Sequence, residues 1–168
     1  MKLIGAIWGT IGVTYLIGKS ITTLSGYAKE ALDYELSTFQ WVFLILYSIF
    51  MLVCEGYRGF QKKFCPRTAA RVKYLYDNPR PLHVILAPFF CMGYFHADKK
   101  TKIIAISISL LILGVIFLMR NYCPQPWRGI IDVGVVLGLS YGIICFWVFV
   151  FLAFTSKNFN HSPHLPKK

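Results

Sequence analysis

The stretch LHVILAPFFCMGYFHA, residues 82–97, decides the architecture. It is greasy enough to enter a bilayer, yet it is broken by Pro88 and carries His83 and His96 near its ends. A spanning helix needs about 20 apolar residues (range ~17–25). At 16 residues with a proline near its centre, the stretch reads as a re-entrant or interfacial segment, with a fifth crossing as the alternative.

Its surroundings set that choice in context. Of 168 residues, 56% are hydrophobic and 15% are charged, against about 45–50% and 25% in ordinary soluble domains. Residues 3–18, 39–54, 103–119 and 133–155 contain no charged side chain. The expected fold is therefore all-α: a single polytopic membrane domain with four transmembrane helices at about 3–20, 39–58, 102–120 and 129–155. A basic connection, 59–101, and a flexible C-terminal tail, 156–168, complete it. The first apolar run follows Met1-Lys2 and could be read as a secretory signal cleaved within residues 1–25. Its apolar core exceeds the 7–15 residues usual for such signals, so a first span is expected.

Positive charge separates four crossings from five. The net charge is +11. With four crossings and the N-terminus inside, 14 of the 18 basic residues fall on one side, leaving Lys19, Lys29, Arg120 and Arg128 on the other. With five, Lys99, Lys100, Lys102, Lys157, Lys167 and Lys168 move out, Arg120 and Arg128 move in, and the division becomes 10 against 8. Cytoplasmic loops are enriched in Lys and Arg, so four spans with both termini cytoplasmic are expected, in a bacterial inner membrane. The natural partners of the excess charge are anionic lipid head groups; nucleic acid is not expected.

Small residues recur at four-residue spacing. Gly5 and Gly9 form one such pair, flanked by Ala6, Thr10 and Thr14; Gly134, Gly138 and Gly142 form a ladder in the last span. Bare stripes of this kind let helix backbones approach closely where no hydrophobic drive exists. They predict helix packing, either within one chain or in a homo-oligomer or with a membrane subunit.

The polar candidates are few. Glu55 is expected at the cytoplasmic end of the second span, paired with Arg58 one turn later. Pro66 is expected to open a short basic amphipathic helix ending near Tyr76 and lying on the leaflet. Arg58, Arg67, Arg71 and Arg80 could cradle a phosphate or lipid head group, since guanidinium groups bind phosphate in a fork. Glu55, His83 and His96 are the acid/base candidates. In PQPWRGIID, Pro126 can start a helix, Trp127 and Arg128 suit an interface, and Asp132 suits a helix N-terminus, so these three side chains read as an anchor. Glu55 and Asp132 are expected on opposite membrane faces. There is no HxxxH and no CxxC, so no metal, cofactor or disulfide is expected. The leading functional expectation is a non-enzymatic membrane protein acting through helix packing with lipid or subunit contacts. A small transporter or channel-like oligomer, and a membrane-embedded enzyme acting on a phosphate-bearing head group, are the alternatives.

Overall fold

The computed structural model describes residues 2–156 and 159–166. Among them every regular element is helical. In chain order these are α1 (Lys2–Leu32), α2 (Thr38–Met51), a π-helical segment (Leu52–Phe64), α3 (Cys65–Asp77), α4 (Pro81–Ile85), α5 (Ala87–Met92), α6 (Lys99–Tyr122) and α7 (Trp127–Thr155). Four helices are long and apolar enough to cross a membrane: Lys2–Leu32, Thr38–Asp77, Lys99–Tyr122 and Trp127–Thr155.

Two of these rods exceed their expected lengths. Residues 21–32, expected in a loop, continue α1, where Ala31 and the Tyr27 carbonyl lie against Gly129 of α7. Lys29 in the last turn also complements the helix dipole. The second rod begins at a capping box. The Ser37 hydroxyl accepts from the Gln40 amide at 3.4 Å, and the Ser37 amide donates to Gln40 Oε1 at 2.9 Å, satisfying two otherwise orphaned amides. It then runs without a break through α3. Pro66 therefore opens no separate surface helix. It sits at the start of α3, whose Cys65, Thr68, Ala69, Val72 and Leu75 are buried.

The chain directions follow from which residues meet. Gly129 lies against Ala31 and the Tyr27 carbonyl, whereas Trp147 and Phe154 share a groove with Leu3 and Ile7. Hence α1 and α7 are antiparallel. Gly134, Gly138 and Gly142 meet Tyr47, Glu55 and Phe60 in that order, and Tyr76 stacks edge-on to Phe154. The second rod and α7 therefore run in the same direction.

Residues 81–98 are not among the helices long and apolar enough to cross a membrane. They form a hairpin of two short helices, α4 and α5, laid along the first half of α1. Val84 meets Gly5, Cys91 meets Gly9, and Pro88 at the tip meets Gly12. The Trp8 indole donates to the Ile85 carbonyl at 3.2 Å. Gly93 closes α5 at φ +93°, a left-handed position where a β-carbon is disfavoured and glycine is the usual helix stop. The proline-broken segment thus doubles back beside α1.

α6 differs from the other rods. Asp98 caps its start by accepting from the Thr101 amide at 3.0 Å, and Arg120 near its end donates to the Tyr27 hydroxyl at 2.9 Å. Ser109 bonds back to the Ala105 carbonyl and pairs with the Tyr94 hydroxyl. Of its own residues only Thr101 and Ala105 are buried, and Leu110, Leu111 and Phe117 are each more than 60% exposed.

The segment expected as a loose tail is docked. Of its described residues, Phe159 and Leu165 pack against the core and Phe149 contacts the His161 ring edge-on. Two apolar anchors and the polar tie described below explain the order. Lys157, Lys167 and Lys168, which entered the charge argument, lie outside the described residues.

Candidate functional site

The hairpin is fastened by Arg71. This side chain is fully buried, yet no carboxylate neutralises it within ion-pair distance among the described residues. Its Nε donates to the Phe90 carbonyl at 2.6 Å, Nη1 to Pro163 at 2.8 Å, and Nη2 to Phe95 at 2.9 Å and His96 at 3.1 Å. The guanidinium also lies 4.3 Å over the Phe90 ring. A planar fork with five donors suits this geometry. Arg71 thereby joins α3, the hairpin and the C-terminal strand of chain at one point.

The other cradle candidates divide. Arg67, one turn earlier and partly buried, has its Nε without a hydrogen-bond partner and lies within electrostatic reach of Asp98 and Arg71. Arg80 is exposed at the root of the hairpin, where its charge reaches His83 and His96. Arg58 stands apart, exposed on the π-helical segment. Of the four arginines, three gather at the hairpin and one of those three directs its donors to backbone carbonyls.

His83 and His96 come together, with ring centroids 4.6 Å apart. His83 is 5% exposed, stacks on Phe90 at 4.8 Å, and leaves Nδ1 without a partner. Burial, then the neighbouring His96, Arg80 and Arg71, hold His83 below the usual imidazole range. Burial, then Arg80 and Arg71, do the same to His96. Both rings are therefore neutral around neutrality. Beside them Asp98 is held below the usual carboxylate range, chiefly by its bond from Thr101 and further by His164. The His164 Nδ1 lies 3.7 Å from Asp98 Oδ2, and the Asp98 amide donates to the His164 carbonyl.

Glu55 does not pair with Arg58. No ion pair joins them among the described residues, and Oε2 of Glu55 is buried without a hydrogen-bond partner. The cause is the π-helix: its wider i→i+5 turn moves the third residue on away from the face that an α-helix would give it. Nor does Glu55 stand at the end of a span. It faces Gly138, where a β-carbon would lie 2.8 Å from Oε2, roughly 17 Å along the ~43 Å length of α7 at 1.5 Å per residue. Asp132 is six residues before Gly138, so the two carboxyls are separated by roughly 9 Å along the axis, not by a membrane thickness. Tyr47 lies within electrostatic reach of both.

The opening of α7 forms a compact aromatic corner. Trp127 meets the edges of Phe39 and Phe43 at 6.2 and 5.4 Å, and Arg128 lies 3.8 Å over the Tyr27 ring. Gln125 donates to Glu30 and accepts from the Gly129 amide. Asp132 is buried at 7% exposure, one turn from Arg128. Both glycine stripes are occupied by this chain's own side chains: α1's faces the hairpin and α7's faces the second rod.

Two clefts open on the surface. One, of about 260 Å³, is wholly apolar and runs between Leu3, Ile7, Ile11, Trp147 and Phe154; the other, of about 210 Å³, is bounded by Gln61, Tyr141, Ile144 and Phe149. The described residues contain no group of three His, Cys, Asp or Glu side chains placed to hold a metal, and all five cysteines are free. No protein-family model, curated protein or solved structure matches the chain.

Sequence reasoning missed the roles of Arg71 and of the C-terminal chain. In the sequence Arg71 is one more basic residue in a basic connection, one turn from Arg67 on the side expected to face the leaflet, and nothing local marks it for burial.

Proposed function

We propose that this chain is a multi-pass integral membrane protein with a non-enzymatic role, holding anionic lipid at its cytoplasmic end, with the bacterial inner membrane as its setting. The supporting observation is the division of the exposed surface. Apolar side chains cover α6 and the outward face of α2, while Lys62, Lys63, Arg80, Lys99 and Lys100 are exposed toward the hairpin end. At the opposite end Trp127, Arg128 and Tyr27 make the kind of aromatic belt that sits at head-group level.

In this orientation α1 crosses outward, the second rod inward, α6 outward and α7 inward, and the hairpin re-enters from the cytoplasmic side without crossing. Long lysine stems can lie along the apolar surface while their ammonium groups reach the leaflet. Anionic lipid then supplies the counter-charge that the chain lacks. The head-group enzyme reading has His83 and His96 to draw on, but His83 is enclosed by Phe90 and His96 and offers no open face for a substrate.

Reconstitution tests this reading. The protein is expected to retain phosphatidylglycerol through detergent exchange in preference to phosphatidylcholine, and to lose it as salt is raised. At about 1 kcal/mol for each basic residue near the surface, every Lys→Gln change at Lys62, Lys63, Lys99 or Lys100 should weaken retention about fivefold. Equal retention of both lipids, unchanged in the lysine variants, would overturn it.

A further inference from the structure

We propose that Glu55 is a proton-binding site midway through the bundle, on the seam between the π-helical segment and α7. Its depth rests on the membrane reading above; its geometry does not.

Four observations converge on it. The carboxyl has one oxygen buried without a partner. The only basic residue within one turn, Arg58, is turned away and exposed. The space it occupies exists because position 138 is glycine: a β-carbon there would stand 2.8 Å from Oε2 and 3.3 Å from the carboxyl carbon. The backbone that carries it is π-helical from Leu52 to Phe64, a geometry that is rare and concentrates at functional positions.

The chemistry of the seam selects the occupant. An ionised carboxylate without a cation or hydrogen bonds is strongly disfavoured in an apolar interior, whereas the neutral acid is tolerated. A metal cation would want several oxygen ligands, and the described residues place no three ligating side chains together. A proton needs one. Polar groups flank Glu55 along the same seam. Tyr47 lies toward Asp132. On the other side the Tyr141 ring packs against Gly56, and its hydroxyl donates to Gln61. Ser48, 8% exposed with its hydroxyl unpartnered, adds another polar group on α2. Glu55 thus belongs to a polar file, with tyrosine side chains on both sides along the seam.

Infrared spectroscopy of the full chain in lipid vesicles tests this, with membrane insertion checked independently by resistance to alkaline extraction. At neutral pH the wild type should show the carbonyl band of a protonated carboxylic acid, declining as the pH is raised. Glu55→Gln should remove that band, and Glu55→Asp, which withdraws the carboxyl from Gly138, should shift it. Gly138→Ala should displace it as well. A dicyclohexylcarbodiimide adduct at Glu55, faster at lower pH and absent in Glu55→Gln, is the expected chemical counterpart. An inserted protein with no such band, a band that persists in Glu55→Gln, or protection from carbodiimide by sodium or potassium at constant pH would overturn the proposal. A protein extracted by alkali would instead overturn the membrane reading.

Discussion

The guanidinium of Arg71 lies 4.3 Å over the ring of Phe90 while its Nε donates to the carbonyl of the same residue at 2.6 Å. One side chain therefore grips Phe90 by both its backbone and its ring, and three further carbonyls complete the hold. Removing such a buried, fully bonded group leaves orphaned acceptors and a void. Arg71→Ala should cost about 3–5 kcal/mol. Arg71→Lys should recover little, because an ammonium is a point charge and cannot reach four carbonyls in a plane. Thermal unfolding in detergent measures the loss, and proteolysis within residues 159–166 should accelerate in both variants.

The glycines divide into crowded and open positions, and alanine substitution should separate them. At Gly12 a β-carbon would lie 2.2 Å from Pro88, and at Gly129 it would lie 2.5 Å from the Tyr27 carbonyl oxygen. Overpacking of this kind costs about 1–3 kcal/mol, and the backbone atom at Gly129 cannot swing away. At Gly18 and Gly114 nothing lies within 4 Å, so alanine there should be neutral or stabilise by up to about 1 kcal/mol. Denaturation midpoints of the four variants test the order. Because this chain fills its own stripes, Gly129→Ala should alter stability without a matching change in oligomeric state.

Acid should loosen the hairpin before the rest of the bundle. The folded pKa values of His83 and His96 lie below the usual value of about 6.5. Below that value the unfolded chain binds more protons than the folded one, so stability rises with pH across this window and is lost as pH falls through it. The groups facing the pair are Phe90 and Phe95 of the hairpin, Arg71 of α3 and Arg80, and both arginines oppose a charged imidazole. Amide hydrogen exchange in residues 81–97, referenced to α7, should therefore speed up from neutral pH downward. His83→Gln should flatten the response. Asp98, held low, keeps its contribution above about 3.9 and loses it only in stronger acid.

Thiol labelling should place the two ends of α6 on opposite sides of the membrane. With Cys123 as the sole cysteine, an impermeant maleimide should react from the side opposite to that which labels Lys99→Cys. Reaction of both positions from one side would contradict four crossings.

Much of this architecture is legible in the sequence. The uncharged runs mark the four long helices, and Pro88 with the shortness of 82–97 marks the segment that turns back. The ends were harder to read. Lys29 and Glu30 look like a loop until Ala31 is seen against Gly129, and a continuous 40-residue rod is hidden because its second half, from Gln61 to Asp77, is polar in composition. The site was harder still. The spacing of Glu55 and Arg58 implies a pair only on an α-helix, and no local pattern announces thirteen π-helical residues. Arg71 needed tertiary knowledge, since its partners are carbonyls 19 to 92 positions away.

The scant packing of α6 carries a topological consequence. The second rod and α7 are neighbours that point the same way, and parallel neighbours cannot be joined by a tight turn. The chain must first travel back, as a crossover does between parallel strands. α6 is that return journey, fastened at its start by Asp98, along its length by Ser109 to Tyr94 and near its end by Arg120, and otherwise facing outward. It is cable rather than wall: its length and greasiness matter more than the identity of its side chains. The spacing of the bundle is set by the other three rods and the hairpin.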